Sequence, residues 1–348
     1  MFKIKRQGVG FLMGSDSIPL WIIFIICVIG GAYFAATESS FSAVNKIKIK
    51  TLADDGNKRA QGVMYVINKF DKVYIVAKQV ATDGTVRFDD VIEGRAYNGG
   101  TTYTIFEVLV ESWDMTDTIT ITMYGEKDGI TYYGESFTGS VETMALEKLA
   151  TDYEAGNMDA CRVLVDMLNY GAKVQSAFDH NETSLPNTKL AELGYSELGT
   201  AEDPAFTAVD SESGEATIPL FRMAFSMKSK VEFQVIFNAT KYDISKYEVR
   251  YTVDGVTTVI PYADFVDMVS GKTTYKYAVI TVEASKMRDE YTIALYDPET
   301  NTPVSKIFTC SVESKAATYY NSTEPSYAEY KEVVTAMLKY GDAVKVIA

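Results

Sequence analysis

The sequence predicts an α+β protein, in which one transmembrane helix and one amphipathic helix precede two repeated antiparallel β-sandwich-like modules, each closed by an α-helix. Three observations support this prediction. An uncharged apolar run lies near the N-terminus, strand patterns with Asp-Gly turns follow it, and similar segments recur 172 or 170 residues apart. We expect an N-terminal segment, a first module, a linker and a second module, at residues 1–72, 73–180, 181–216 and 217–348.

The first element is an apolar segment, Ser17 to Thr37, whose 21 residues carry no charge. A helix of this length can cross a hydrocarbon core of about 30 Å. The alternative is a signal peptide, because three basic residues precede the segment. However, residues 7–16 separate those charges from the apolar run, and no small-residue cleavage pattern follows it. We therefore expect an uncleaved anchor in a membrane, with the lipid bilayer as a partner.

The charge of the chain is divided unequally along its length. Residues 1–72 contain ten basic and five acidic residues, whereas 23 basic and 42 acidic residues follow. A strongly acidic body argues against nucleic acid as a partner, because a phosphate backbone is bound by clustered Lys and Arg. Five basic residues follow the apolar segment within reach and three precede it, which weakly favours a cytoplasmic location for the residues after it.

The residues after the apolar segment carry a family resemblance. The segment ends in "FAATESSF", then Asn45 and the basic amphipathic stretch "KIKIKTLADDGNKRA" follow. Residues 18 to about 72 resemble the start of the CNNM/CorC-type transmembrane domain of magnesium and cobalt efflux proteins. The resemblance implies Glu38, Ser39 and Asn45 as ion-path residues, with Mg²⁺ as their cation. Carboxylate and hydroxyl oxygens are the hard ligands that such a cation prefers.

Two departures from this family limit what the resemblance implies. Ala35 and Ala36 stand where the family has a Ser-Gly pair, and no comparable apolar run follows Lys72. A single span cannot enclose a polar pathway. The alternative interpretation of Glu38 is a charge that marks the end of a helix.

The acidic body begins with β-strand patterns joined by turns. Asp-Gly pairs at 83–84, 128–129 and 254–255 each lie between runs of β-prone residues, which predicts hairpins with type I′ turns. The predicted strands are rich in Val, Ile, Thr, Tyr and Phe, as in "TYTIFEVLVES", "DTITITMYG", "VEFQVIF", "YAVITVEAS" and "YTIALYD".

An internal repeat organises the body. "WDMTDTITITMYG" aligns with "SKMRDEYTIALYD", and "RVLVDMLNYGAKV" aligns with "EVVTAMLKYGDAV". Apolar residues in the second pair follow a helical spacing and predict one closing helix per module. Gly171 and Gly341 recur within these helices, which suggests that each helix approaches a sheet or another helix closely. Tyr170 and Tyr340 are expected to pack at those contacts.

The two modules, residues 73 to 348, also resemble tandem β-rich surface modules of gut Firmicutes, in which an Ig-like or fibronectin-like domain precedes a helix. The residues that carry this resemblance are "LVDMLNYGAKVQSAF", "EVVTAMLKYGDAV" and "RYTVDGVTTV". The resemblance implies a surface-displayed spacer or adhesive module, with a glycan or a protein as its ligand and no catalytic residues. Such modules belong outside the cytoplasm, against the charge bias of the N-terminal segment.

Histidine and cysteine, on which many catalytic and metal sites depend, are scarce. The chain has one histidine, His180, which we expect in a solvated loop, and three scattered cysteines. A Cys161–Cys310 bridge would require the two segments to meet. No phosphate-binding loop or nucleophile elbow is present in the sequence. We therefore expect no enzyme activity and no cofactor, except Mg²⁺ if the chain is related to transporters.

The main prediction is a membrane-anchored, non-enzymatic surface protein that acts by adhesion, by glycan or protein binding, or as a spacer. The alternative is a fragment or fusion of a CNNM/CorC-like magnesium or cobalt transport protein. A third interpretation is a carbohydrate-active enzyme that uses carboxylates which the sequence does not identify. The residues near 70–78 lack linker composition, which suggests that two unrelated coding pieces are joined there.

Overall fold

A computed structural model describes residues 72–96, 104–127, 129–220, 222–227 and 230–348. These residues form a mixed α+β fold of several antiparallel sheets and five α-helices. The described helices are α1 (Val141–Glu154), α2 (Met158–Ala177), α3 (Thr188–Glu192), α4 (Val312–Tyr320) and α5 (Ala328–Ile347). None of them has both the length and the apolar composition that a bilayer crossing requires. The predicted span, Ser17 to Thr37, lies outside the described residues.

The chain divides into two compact units. Among the described residues, the first unit takes in 72–96, 104–110, 117–127 and 129–148, and the second takes in 111–116, 149–220, 222–227 and 230–348. The division runs through α1, so α2 lies in the second unit although it closes the first predicted module. The predicted linker is also partly regular, because it contains α3 and a short strand, Ser211–Ser213. The module boundaries at 73–180 and 217–348 stay a prediction.

The strands of the first unit are β1 (Lys72–Val80), β2 (Val86–Glu93), β3 (Arg95–Ala96), β4 (Thr104–Ile105), β5 (Thr118–Lys127) and β6 (Ile130–Gly139). Four of them form an antiparallel sheet in the order β2-β1-β5-β6. A second, two-stranded sheet pairs β3 with β4. Ile75 and Ala77 on β1 and Ile119 and Ile121 on β5 are almost completely buried, as period-two alternation requires of a one-sided core.

The second unit contains a six-stranded and a four-stranded sheet. Their strands are β7 (Ser211–Ser213), β8 (Arg222–Ser226), β9 (Glu232–Asn238), β10 (Glu248–Val253), β11 (Val256–Pro261), β12 (Val266–Ser270), β13 (Thr273–Thr281), β14 (Tyr291–Asp297), β15 (Thr302–Pro303) and β16 (Ile307–Cys310). The first has the order β11-β10-β14-β16-β7, with β15 also paired to β14, and the second has the order β12-β13-β9-β8. Phe233 on β9 meets Tyr291 on β14 edge to face, 5.3 Å between ring centroids, and thereby joins the two sheets.

The three hairpins predicted from Asp-Gly pairs are confirmed, and the two turns whose Asp and Gly are both described differ from each other. In the β10–β11 turn Asp254 and Gly255 have φ of 51° and 74°, as a type I′ turn requires. In the β1–β2 turn Gly84 alone has positive φ, because the Asp83 carboxylate instead accepts a hydrogen bond from the Thr85 N–H at 2.8 Å. Of the described part of the strand predicted in "TYTIFEVLVES", residues 104–112, only β4 is extended in a sheet, although Phe106 and Val108 beyond it are buried.

The helical stripes of the two closing helices are confirmed. Val163, Leu164, Met167, Leu168, Gly171 and Val174 are all buried on α2, and Val333, Val334, Met337, Leu338, Gly341 and Val344 are all buried on α5. Each closing helix is preceded by a helix that the sequence analysis did not predict, α1 before α2 and α4 before α5.

Candidate functional site

The predicted ion-path residues Glu38, Ser39 and Asn45 lie outside the described residues. Within the described ranges, no group of His, Cys, Asp or Glu side chains has the arrangement of a metal site. Cys161 and Cys310 are both buried and are not joined by a disulfide bond, so the bridge between them does not form. The remaining candidates for a binding site in the described residues are cavities and polar clusters.

The second unit contains a polar cavity of about 620 Å³. One wall is the face of α2 that carries Asp166, Asn169 and Lys173, spaced by three and four residues as one helical face requires. A second wall is the face of α5 that carries Lys331, Glu332, Thr335 and Lys339. The segment 196–203 and Tyr320, at the end of α4, complete the lining.

A buried carboxylate holds the segment 196–203 against α2. Asp166 is 2% exposed and accepts hydrogen bonds from the Thr200 N–H at 3.0 and 3.2 Å and from the Thr200 hydroxyl at 2.5 Å. Burial raises the pKa of Asp166, although the two Thr200 donors oppose this effect. A Cβ atom on Gly199 would lie 2.8 Å from Asp166 Oδ1, so a glycine is required for the segment to pass this close.

Two ion pairs brace the mouth of the cavity. Lys173 on α2 contacts Glu332 on α5 at 2.5 Å, and Lys339 on α5 contacts Asp203 in the segment 196–203 at 2.9 Å. Both acidic partners are more than half exposed, so each pair contributes at most about 1 kcal/mol. As a result, two of the three lysines in the cavity lining already have a carboxylate partner.

The recurring glycines confirm that each closing helix closely approaches another part of the chain, which in both cases is a short segment before a strand. A Cβ on Gly171 would lie 2.6 Å from Met115 Sδ and 2.9 Å from the Ser112 carbonyl oxygen. On Gly341 the corresponding distances are 2.8 Å to Met287 Sδ and 3.0 Å to the carbonyl oxygen of residue 284. At Gly171 the partner is the segment before β5, and at Gly341 it is the short 3₁₀ helix Ala284–Lys286 before β14.

Tyr170 and Tyr340, next to the two glycines, are buried and stack on each other. Their ring centroids are 6.3 Å apart and the rings are inclined by 13°. Tyr170 donates its hydroxyl to the Met227 carbonyl oxygen at 3.0 Å, and burial raises its pKa. These contacts make both tyrosines packing residues, as expected.

His180 is packed rather than solvated, so the expectation for its side chain was wrong. Its ring stacks on Trp113 with 4.3 Å between centroids, and its Nε2 lies 2.8 Å from Asp114 Oδ1. Gln175, on the last turn of α2, donates to the carbonyl oxygens of residues 180, 181 and 184 and so holds the loop in place. The histidine and the aspartate are 66 residues apart, so no local sequence pattern could have joined them.

Comparisons with known proteins find similarity at the N-terminal end of the chain. Residues 22–82 match the family model of the cyclin M (CNNM) transmembrane N-terminal domain. A "UPF0053 protein" of Haemophilus influenzae is 39% identical over 59 residues, which is 16% of this chain and 14% of the relative. The chain thus spans about a seventh of the length of that curated relative. No solved structure matches the chain. The predicted CNNM resemblance is therefore confirmed for a segment that ends just after β1, and the resemblance to surface modules stays a prediction.

Proposed function

We propose that this chain is a membrane protein related to CNNM/CorC-like magnesium or cobalt transport proteins, with an acidic β-rich body after the CNNM-type segment. The observation that supports it is the family match over residues 22–82, which includes most of the predicted uncharged span. The comparisons favour this relationship over the surface-adhesion prediction. The β-rich body would then be an addition that the family segment does not require.

In this proposal Glu38, Ser39 and Asn45 are oxygen ligands for Mg²⁺ at the edge of the bilayer. A carboxylate at that depth is costly unless a cation or a polar partner compensates it, which makes Glu38 the main candidate ligand. Since one span cannot enclose a polar pathway, transport would require spans in addition to this one. Cation binding, rather than transport by a single chain, is therefore the activity to test first.

The test is Mn²⁺ binding to the full chain in lipid nanodiscs, followed by electron paramagnetic resonance, with Mg²⁺ as the competitor. We expect Glu38→Gln to remove one class of bound Mn²⁺. The matched control is Asp16→Asn, which removes the carboxylate at the other end of the predicted span and should leave that class intact. Equal Mn²⁺ binding by wild type and Glu38→Gln would refute the ion site.

A second candidate function, surface binding or spacing without catalysis, is favoured by the polar cavity of the second unit. It requires the body to lie outside the cytoplasm. Protease treatment of intact cells distinguishes the two locations, because external protease digests residues 73–348 only if they are extracytoplasmic. Survival of the body under that treatment would rule out the surface function and would agree with the charge bias around the span.

A further inference from the structure

We propose that the polar cavity of the second unit binds a small hydroxylated monocarboxylate, such as a hexuronic acid of one or two sugar rings. The cavity volume of about 620 Å³ lies within the range of small-molecule sites. All of its walls belong to one compact unit, so the site is formed by α2, α5, the end of α4 and the segment 196–203.

The cavity lining includes one lysine, Lys331, that pairs with no residue in the described part of the chain. Of the three lysines in its lining, Lys173 and Lys339 form ion pairs with Glu332 and Asp203, whereas Lys331 forms no ion pair or side-chain hydrogen bond among the described residues. Lys331 is half-buried, on the first turn of α5. A partly desolvated, unpaired cation favours an anionic ligand, because a carboxylate can supply the charge-assisted hydrogen bonds that water supplies less strongly there.

Hydroxyl groups in the same lining suit a polar, hydroxylated ligand better than an apolar one. Tyr320 and Ser196 line the cavity, and neither hydroxyl is hydrogen-bonded to another described residue. The Tyr320 ring is held by Phe206, which stacks on it with centroids 3.9 Å apart and rings inclined by 12°. A ring fixed in this way keeps its hydroxyl in one place without reorganisation on binding, which reduces the entropic cost of association.

The charge of the lining limits how negative the ligand can be. Asp166, Glu197, Asp203 and Glu332 oppose the three lysines, so the lining is close to neutral within a strongly acidic body. One carboxylate can pair with Lys331, but a phosphate or a polyanion would meet the surrounding carboxylates without further free cations in this lining. The ligand is therefore expected to carry one negative charge and several hydroxyl groups.

The experiment measures binding of D-glucuronate to the full chain in nanodiscs by isothermal titration calorimetry. D-glucose, which lacks the carboxylate, and propionate, which lacks the hydroxyls, are the comparison ligands. We expect saturable binding of glucuronate and much weaker binding of the other two. Lys331→Gln should weaken glucuronate binding by about ten- to a hundredfold, as expected for loss of a hydrogen bond to a charged group.

Two further variants keep the test independent of folding. Lys272→Gln removes an exposed lysine from the β12–β13 turn, outside the cavity lining, and should bind as wild type does. Tyr320→Phe removes only the hydroxyl and should weaken binding, while its thermal unfolding stays at the wild-type temperature. Absence of saturable glucuronate binding, equal binding of glucose, or full retention of affinity in Lys331→Gln would each overturn the proposal.

Discussion

Replacement of Gly171 by alanine tests the close approach between α2 and the segment before β5. The added Cβ would lie 2.6 Å from Met115 Sδ, 2.9 Å from the Ser112 carbonyl oxygen and 3.2 Å from Met115 Cε. The methionine sulfur lies on a flexible side chain, but the carbonyl oxygen is part of the backbone. Moving the methionine therefore relieves only part of the clash, and the helix or the segment must also shift.

The magnitude follows from two opposing effects. Alanine is more favourable than glycine in the interior of a helix by about 1 kcal/mol. Overpacking a buried contact costs about 1–3 kcal/mol, and both Gly171 and Met115 are buried. We expect a net loss of about 1 kcal/mol, which lowers the unfolding temperature of the second unit by about 2–4 °C. Gly341→Ala should be slightly milder, since its contacts are 0.1–0.2 Å longer.

The assay is urea unfolding of the full chain in detergent, followed by Trp113 fluorescence in a Trp21→Phe background. Trp113 reports on this region because it stacks on His180 and contacts Phe178 edge to face. Ser176→Ala, at an exposed position of α2, is the control for helix propensity and should be neutral or slightly stabilising. If Gly171→Ala were more stable than wild type, the close approach of helix and segment would be refuted.

Three further predictions concern the second unit. Arg288 contacts Glu313 at 2.8 Å and Asp342 at 2.5 Å. Arg288→Ala should therefore lower the free energy of unfolding in urea by about 2 kcal/mol, and Arg288→Lys by about half of that. Equal losses in the two variants would contradict a role for the planar guanidinium group in binding both carboxylates. Burial raises the pKa of Glu313, but N–H donors from residues 207–208 and Arg288 outweigh this, so the pKa lies below its ordinary value of 4.5. Its contribution to stability should be complete above pH 4.5 and lost as the pH falls through the lower, folded value, and Glu313→Gln should flatten this acid loss; an unchanged pH profile would contradict it. Burial raises the pKa of Cys310 to about 12, so with the N-terminal cysteine replaced by serine, both Cys161 and Cys310 should react with a thiol reagent only on unfolding; rapid labelling of the native chain would contradict their burial.

The parts of the fold that the sequence predicted correctly are those with a local signal. The apolar stripes of α2 and α5 depend on helical spacing alone, and the hairpins depend on turn residues next to β-prone runs. The helices α1 and α4, which were not predicted, also begin at a local sequence signal, a capping pattern. Ser140 with Thr143 and Ser311 with Ser314 exchange reciprocal backbone–side-chain hydrogen bonds of 2.8–3.1 Å. Both pairs lie in a four-residue stretch that begins with Ser-Val-Glu.

The cavity could not be predicted in this way. Its central contact joins Asp166 to Thr200, and Lys331 on its other wall lies more than a hundred residues further along the chain. None of these residues belongs to a spaced motif, because their proximity depends on how α2 and α5 pack. The same is true of His180 and Asp114, whose pairing depends on the loop that Gln175 holds in place.

The most direct test of the proposed relationship is whether the N-terminal segment holds the chain in a membrane. Membranes from expressing cells are washed with alkaline carbonate, which removes peripheral proteins, and are then treated with protease from either side. We expect the chain to remain in the membrane after the wash, and protease to leave a membrane-embedded fragment that ends near residue 72. Release of the intact chain by the carbonate wash would contradict the proposal that a CNNM-type segment anchors an acidic β-rich body.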